Sequence, residues 1–265
     1  MTLIPLIVLL AGLSRAANTI YLVGADPNPS QKVLLAVAHK ATADFAALGL
    51  RTQVRLLKGE LDEESYRRLD KTDSAAFFGT PEHVLAAVRK VNPGAAKSME
   101  QAAFGSNSGS INPEHSLNPR DGHGSNIIGV ALGATKTFSE AVGVSVVEGA
   151  AFMIVHGAGH NANLQHAGDS NGFEPATNRY VQEGLWVPHT PNIMTDGGVI
   201  VGRIETQAFG LKEGKSKETL QSFIDAKANT APADPKERFL SIKAALIARF
   251  DKDAPKASLP VVEPK

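Results

Sequence analysis

The chain has 265 residues, 43% of them hydrophobic, enough for one large domain or two small ones around a substantial core. Its 27 basic and 27 acidic residues cancel and form no basic stripe, which argues against nucleic acid as a partner. Cysteine is absent, so disulfides and thiolate ligands are excluded, and any metal must be held by His, Asp or Glu.

Residues 1–17 have the form of a secretory signal peptide. Residues 3–13 make an apolar run of the right length, and Ser14-Arg15-Ala16 places small residues at the two cleavage positions. The run is too short to span a bilayer. A buried strand is the alternative, but Pro5 suits it poorly. The expectation is a secreted or periplasmic protein without a membrane span, with a main domain over residues 18–251.

Residues 19–24 (TIYLVG) are strand-like, and Pro27-Asn28-Pro29 breaks them off. Ser30 can then cap a helix whose one face carries Val33, Leu34, Val37, Ala38, Ala41, Phe45 and Leu48, stopped at Gly49. Alternation at Val54 and Leu56 marks a second strand within residues 51–57. Residues 62–69 read as a charged, solvated helix and residues 74–78 as a third strand, and Pro81 opens a helix that runs to Val91. Strands alternating with helices in this way suggest a twisted sheet backed by helices.

From residue 105 to 125 the composition turns to Gly, Ser, Asn and Pro, which predicts a long surface loop. His115, Asp121 and His123 fall in it and read as solvated side chains. Residues 126–132 return to strand. Gly133-Ala134-Thr135-Lys136-Thr137 lacks the Gly-Lys pair that a phosphate loop requires. Residues 144–161 are apolar enough for a helix buried on most sides at the domain centre, and the N-terminal subdomain is expected to end near residue 162. Residues 168–191 are irregular and 199–201 short and apolar. Helical stretches follow at 215–226 and 235–250, making the C-terminal part mainly helical. A Pro- and Lys-rich tail over 252–265 is expected to fray.

The most informative spacing lies where the central helix ends. His156 and His160 are four residues apart, so both imidazoles leave one helix face with their backbones about 6 Å apart along the axis. A chain that turns soon after His160 can bring His166 back over the same point. Three imidazole nitrogens hold zinc and leave its fourth position open, which is the arrangement of a catalytic site.

The run His156-Gly157-Ala158-Gly159-His160-Asn161-Ala162-Asn163-Leu164-Gln165-His166 resembles the metzincin zinc-peptidase pattern H-E-x-x-H-x-x-G-x-x-H, and Asn192-Ile193-Met194 resembles the Met-turn that lies beneath the metal in that family. The resemblance covers residues 145–198. It implies an α+β domain with a twisted mixed sheet backed by helices, a Zn2+ site on His156, His160 and His166 above Met194, and hydrolysis of a peptide or protein substrate by zinc-activated water. Two positions depart from the pattern. Asn163 replaces a glycine that leaves the helix in a left-handed conformation, which asparagine tolerates. Gly157 replaces the glutamate that acts as general base, a role worth about 10²–10⁴-fold that a hydrogen side chain cannot fill. Glu148 lies eight residues earlier, about 12 Å down the helix, and Asp169 and Glu174 follow His166 in an irregular stretch. The family's tyrosine two residues after the Met is Asp196 here.

Two other readings compete. A non-catalytic zinc- or peptide-binding module on a metzincin-like scaffold, a pseudoenzyme, is favoured by Gly157. An α/β-hydrolase-type esterase would use residues 152–159 as a strand running into an oxyanion loop, with Gly168-Asp169-Ser170-Asn171-Gly172 as its G-x-S-x-G. In that reading His189 and Asp196 come in the wrong order for the triad.

Overall fold

The computed structural model describes residues 18–26, 29–69, 73–101, 104, 110–111, 126–162, 164, 191–208, 218–232, 241–250 and 259–263. The signal-like segment, His115, Asp121, His123, Asn163, His166 and residues 168–190 lie outside them.

Four parallel strands and one antiparallel edge strand form the sheet, in the order β2-β1-β3-β5-β4. They are β1 (Thr19–Gly24), β2 (Gln53–Leu56), β3 (Ser74–Gly79), β4 (Ser110–Ile111) and β5 (Ile127–Ala131). The α+β expectation holds. Side chains alternate between the two faces, as the pleat demands. Ile20, Leu22, Ala76, Phe78, Ile128 and Val130 enter one core, whereas Tyr21, Val23, Ala75, Phe77 and Ile127 enter the other. Central strands buried on both faces read as continuous apolar runs, which is why TIYLVG and SAAFFG stood out.

Helices cover both faces. α1 (Gln31–Ala47) lays Leu34, Val37, Ala38, Ala41 and Phe45 on the first face and ends at Gly49, whose φ of 72° is the left-handed conformation glycine permits. α2 (Glu63–Arg67) buries no residue fully, though Tyr66 packs half-buried against the second core; the Asp62 carboxylate caps it by accepting the Ser65 N–H. α3 (Pro81–Val91) and α4 (Pro93–Gln101) pack on the second face through Val84, Val88, Ala96 and Met99.

Three differences from the sequence-based expectation have physical causes. Residues 132–142, passed over as a discarded phosphate loop, form helix α5 (Leu132–Val142), which buries Leu132, Thr135, Phe138, Ser139 and Val142. Ser110 and Ile111, within the expected surface loop, pair antiparallel with Val130 and Gly129 and close the sheet edge. Residues 259–263 do not fray in the described part. Leu57 bridges Val261, the Val262 N–H donates to the Leu56 carbonyl at 2.8 Å, and Leu259 is buried, so this segment covers the outer edge of β2.

Helix α6 (Val146–Asn161) crosses the first face of the sheet beside α1, bent 110° from α5 across Gly143-Val144-Ser145. Its start is a capping box. Ser145 Oγ accepts the Glu148 N–H while the Glu148 carboxylate accepts the Ser145 N–H and hydroxyl. Gly149 lets α5 approach closely, because a methyl there would collide with Ser139 Oγ. From Gly149 to Gly159 every residue of α6 is buried. Residues 199–201 belong to helix α7 (Gly197–Ala208), where Asp196 Oδ1 accepts the Gly198 N–H at 2.8 Å. The short helix α8 (Leu220–Ile224) and helix α10 (Ile242–Phe250) add Leu220, Phe223, Ile224, Ile242, Leu246 and Phe250 to the first core, with the short helix α9 (Lys227–Thr230) between them in the chain. Among the described residues no single helix is long and apolar enough to cross a membrane.

Candidate metal centre

The C-terminal end of α6 is anchored where the parallel strands begin. The Asn161 amide donates to Ser74 Oγ at 3.2 Å, and Arg249 of α10 donates through Nε to the Asn161 carbonyl at 3.2 Å and through its terminal nitrogen to Asn126. This edge is opposite the carboxyl ends of the strands, where open α/β sheets bind nucleotides.

His156 and His160 both project from this end. Their Nε2 atoms lie 3.0 Å apart, and the rings meet edge to face with centroids 4.7 Å apart. Each ring is fixed from behind. His156 Nδ1 donates to the Ile193 carbonyl at 2.7 Å, and His160 Nδ1 donates to the Leu164 carbonyl at 2.9 Å. A carbonyl only accepts, so both protons sit on Nδ1 and, in the neutral rings, both Nε2 lone pairs point into the space between them. Two lone pairs at that distance repel unless a cation or a proton lies between. Phe152, one turn before His156, stacks on that ring with centroids 6.1 Å apart and covers it with an apolar surface.

This donor set fits zinc. Zinc-ligating histidines give their second N–H to a carbonyl or carboxylate, which fixes tautomer and orientation. Two nitrogens each about 2.0–2.1 Å from a tetrahedral zinc would be separated by roughly 3.3 Å, close to the separation found here. His166 lies outside the described residues, and among the described residues no group of three or more His, Asp, Glu or Cys side chains converges.

The two orienting carbonyls come from two separate turns. After α6 the Leu164 N–H donates to the Gly159 carbonyl at 3.0 Å, the six-to-one bond of a Schellman termination, and this brings the Leu164 carbonyl over His160. The Ile193 carbonyl belongs to a turn closed by its own polar residues. Asn192 Oδ1 accepts the Met194 N–H at 2.7 Å, and Thr195 Oγ1 accepts the Asn192 N–H at 3.1 Å.

Met194 is fully buried against α6 at Gly159. Its sulfur rests on the bare backbone of Gly159, where any Cβ would overlap it. Gly159 thus has a packing role that the sequence pattern alone does not disclose.

Among the described residues no carboxylate joins the pair. Glu148 is committed to the capping box at the far end of α6, where the Ser145 hydroxyl, with the Ser145 backbone N–H, holds its carboxyl below the ordinary glutamate range. Gly157 is buried within the helix. Asp169, Ser170, Glu174 and His189 lie outside the described residues. The esterase reading is corrected on geometry: residues 152–159, which it needs as strand and loop, are helical turns of α6.

The residues missed in the sequence are those behind the two imidazoles. Leu164 and Ile193 act through carbonyls that no side-chain pattern reveals. Asn192 and Thr195 carry a recognisable Asx-turn signal, and Asn229, which binds the Ile193 N–H, carries none. No protein-family model matches the chain, and neither does any curated protein or solved structure.

Proposed function

We propose that the chain is a metzincin-like zinc protein, with the ion held by His156, His160 and His166 over Met194, and that peptide hydrolysis by it is weak or absent because Gly157 lacks a base. One observation carries this reading: two imidazoles, each with Nδ1 tied to a backbone carbonyl, turn their Nε2 atoms on one point. A mixed sheet with an antiparallel edge strand, backed by helices, supports it. So does the chain reversal at Leu164, which leaves His166 only two residues, about 7 Å of extended backbone, from a carbonyl already bonded to His160.

Zinc at this point would supply Lewis acidity, polarising a scissile carbonyl and making water more acidic. The protein's own contributions are separate. The Ile193 and Leu164 carbonyls hold the two ligand tautomers, Phe152 excludes water from one side, and Met194 supports the helix from below. What the chain does not supply is a side chain to take a proton from water and pass it to the departing amine. Gly157 also favours the second reading, a module that holds zinc or a peptide segment without cutting it. Export through the signal-like N-terminus and a peptide or protein ligand belong to the same proposal.

The test is Gly157→Glu, assayed beside the unaltered chain with zinc on a broad peptide library. Restoring the base is expected to raise turnover by about 10²–10⁴-fold. Equal cleavage by both forms would show that the base is not what is missing. Absence of cleavage by both, with zinc bound by both, would favour the binding module.

A further inference from the structure

Asn229 lies 36 residues after Ile193, is fully buried, and is tied on both sides of its amide. Its Oδ1 accepts the Ile193 N–H at 2.9 Å. Its NH2 donates to the Phe223 and Ile224 carbonyls, both at 2.7 Å, which are among the carbonyls that the short helix α8 leaves unpaired at its end. Resting on the zinc reading above, we propose that Asn229 is a positioning residue for His156 and acts through the backbone of Ile193.

The argument is one of remaining freedom. A residue's backbone has two soft dihedrals, since each peptide unit is planar. The unit before Ile193 is held by Asn229 at the Ile193 N–H and, from within the turn, by the Thr195 N–H, which donates to the Asn192 carbonyl at 3.1 Å. The unit after it is held twice: its N–H, that of Met194, donates to Asn192 Oδ1 at 2.7 Å, and its carbonyl accepts His156 Nδ1 at 2.7 Å. With both flanking units fixed, the carbonyl cannot swing, and the His156 ring is held in one tautomer and one direction. Without Asn229 the first unit keeps the Thr195 N–H on the Asn192 carbonyl, a bond within the same turn, so the turn loses its tie to α8 and can shift as a body, carrying the Ile193 carbonyl away from the imidazole. A purely structural role for Asn229, as the C-terminal cap of α8, would predict lost stability and nothing more.

The experiment compares the full chain with Asn229→Ala and with Phe223→Leu, a core change beside the same carbonyls that leaves the tether in place. Zinc ion is titrated into each. The expected result is a loss of zinc affinity of about 10–100-fold in Asn229→Ala, the usual effect of removing a group that orients a metal ligand, with Phe223→Leu near the unaltered chain. Imidazole 15N spectra of the metal-free proteins supply the second readout: His156 is expected as the Nδ1–H tautomer in the parent and as a mixture in Asn229→Ala. Unchanged tautomer and affinity in a folded Asn229→Ala would overturn the proposal, as would an equal loss in Phe223→Leu. If the parent binds no zinc, the functional reading fails while the tautomer comparison still decides the role of Asn229. If Asn229→Ala does not fold, zinc titration of the parent decides: the Ile193 N–H and the Asn229 side-chain amide are expected to shift and to gain protection from exchange. Resonances indifferent to zinc would refute the tether.

Discussion

Replacing Gly159 with alanine pits two effects of known sign against each other. Alanine favours a helix over glycine by roughly 0.5–1 kcal/mol. Against this, the added methyl would enter the space of Met194, meeting Sδ within overlap distance and lying 3.2 Å from Cε and 3.6 Å from Cγ. The sulfur of a fully buried side chain must therefore shift, with Cε giving by a few tenths of an ångström, and overpacking of this kind costs about 1–3 kcal/mol. The clash should win, leaving Gly159→Ala destabilised by about 1–2 kcal/mol. In a Met194→Ala background, itself some 2–5 kcal/mol less stable, the obstruction is gone and the same substitution should stabilise by about 0.5–1 kcal/mol. The change of sign is the prediction. Urea unfolding of the four proteins, with m values compared to confirm two-state behaviour, measures the coupling. If Gly159→Ala has the same effect in both backgrounds to within about 0.5 kcal/mol, Met194 does not rest on this helix as described.

Removing the hydroxyl in Ser145→Ala should cost roughly 1 kcal/mol, as loss of a helix cap does. Glu148, the other half of the box, has its folded pKa below the ordinary value of 4.5, so its contribution is fully present above that pH and fades as pH falls through the lower folded value. The stability advantage over Glu148→Gln should therefore shrink below pH 4.5 in acid titrations followed by circular dichroism; an advantage that grows in acid would contradict the box. Deleting residues 259–265 removes the backbone bonds Lys58 to Pro260 and Val262 to Leu56 and uncovers the β2 edge. A loss of about 1–3 kcal/mol in chemical unfolding is expected, whereas no loss would mean that the segment lies loosely on the sheet.

Legibility in the sequence followed the range of the interactions involved. The α1 stripe from Leu34 to Phe45, the Pro81 start of α3 and the two apolar strands were plain because local periodicity and turn chemistry set them. Helix α5 was hidden because its start, Leu132-Gly133, follows β5 with no side-chain cap, and the glycine imitates a loop. The strand at Ser110–Ile111 owes its existence to Val130 and Gly129, and the docking of residues 259–263 to the exposed edge at Leu57. Neither partner is near in the chain. At the site, the His156–His160 spacing announced a shared helix face, and the structure adds that both Nε2 atoms meet there. Spacing cannot announce which carbonyl sits behind each ring. That depends on chain reversals at Leu164 and Ile193 and on Asn229 reaching the latter across 36 residues.

The central claim is that this pair of imidazoles belongs to a zinc site completed by His166. Metal analysis of the purified full chain after zinc loading and exhaustive dialysis, repeated on His156→Ala, His160→Ala and His166→Ala, tests it most directly. One zinc per chain is expected in the parent, with none retained by any of the three variants while their folds persist by circular dichroism. A parent that retains no zinc, or variants that keep a full equivalent, would contradict the account.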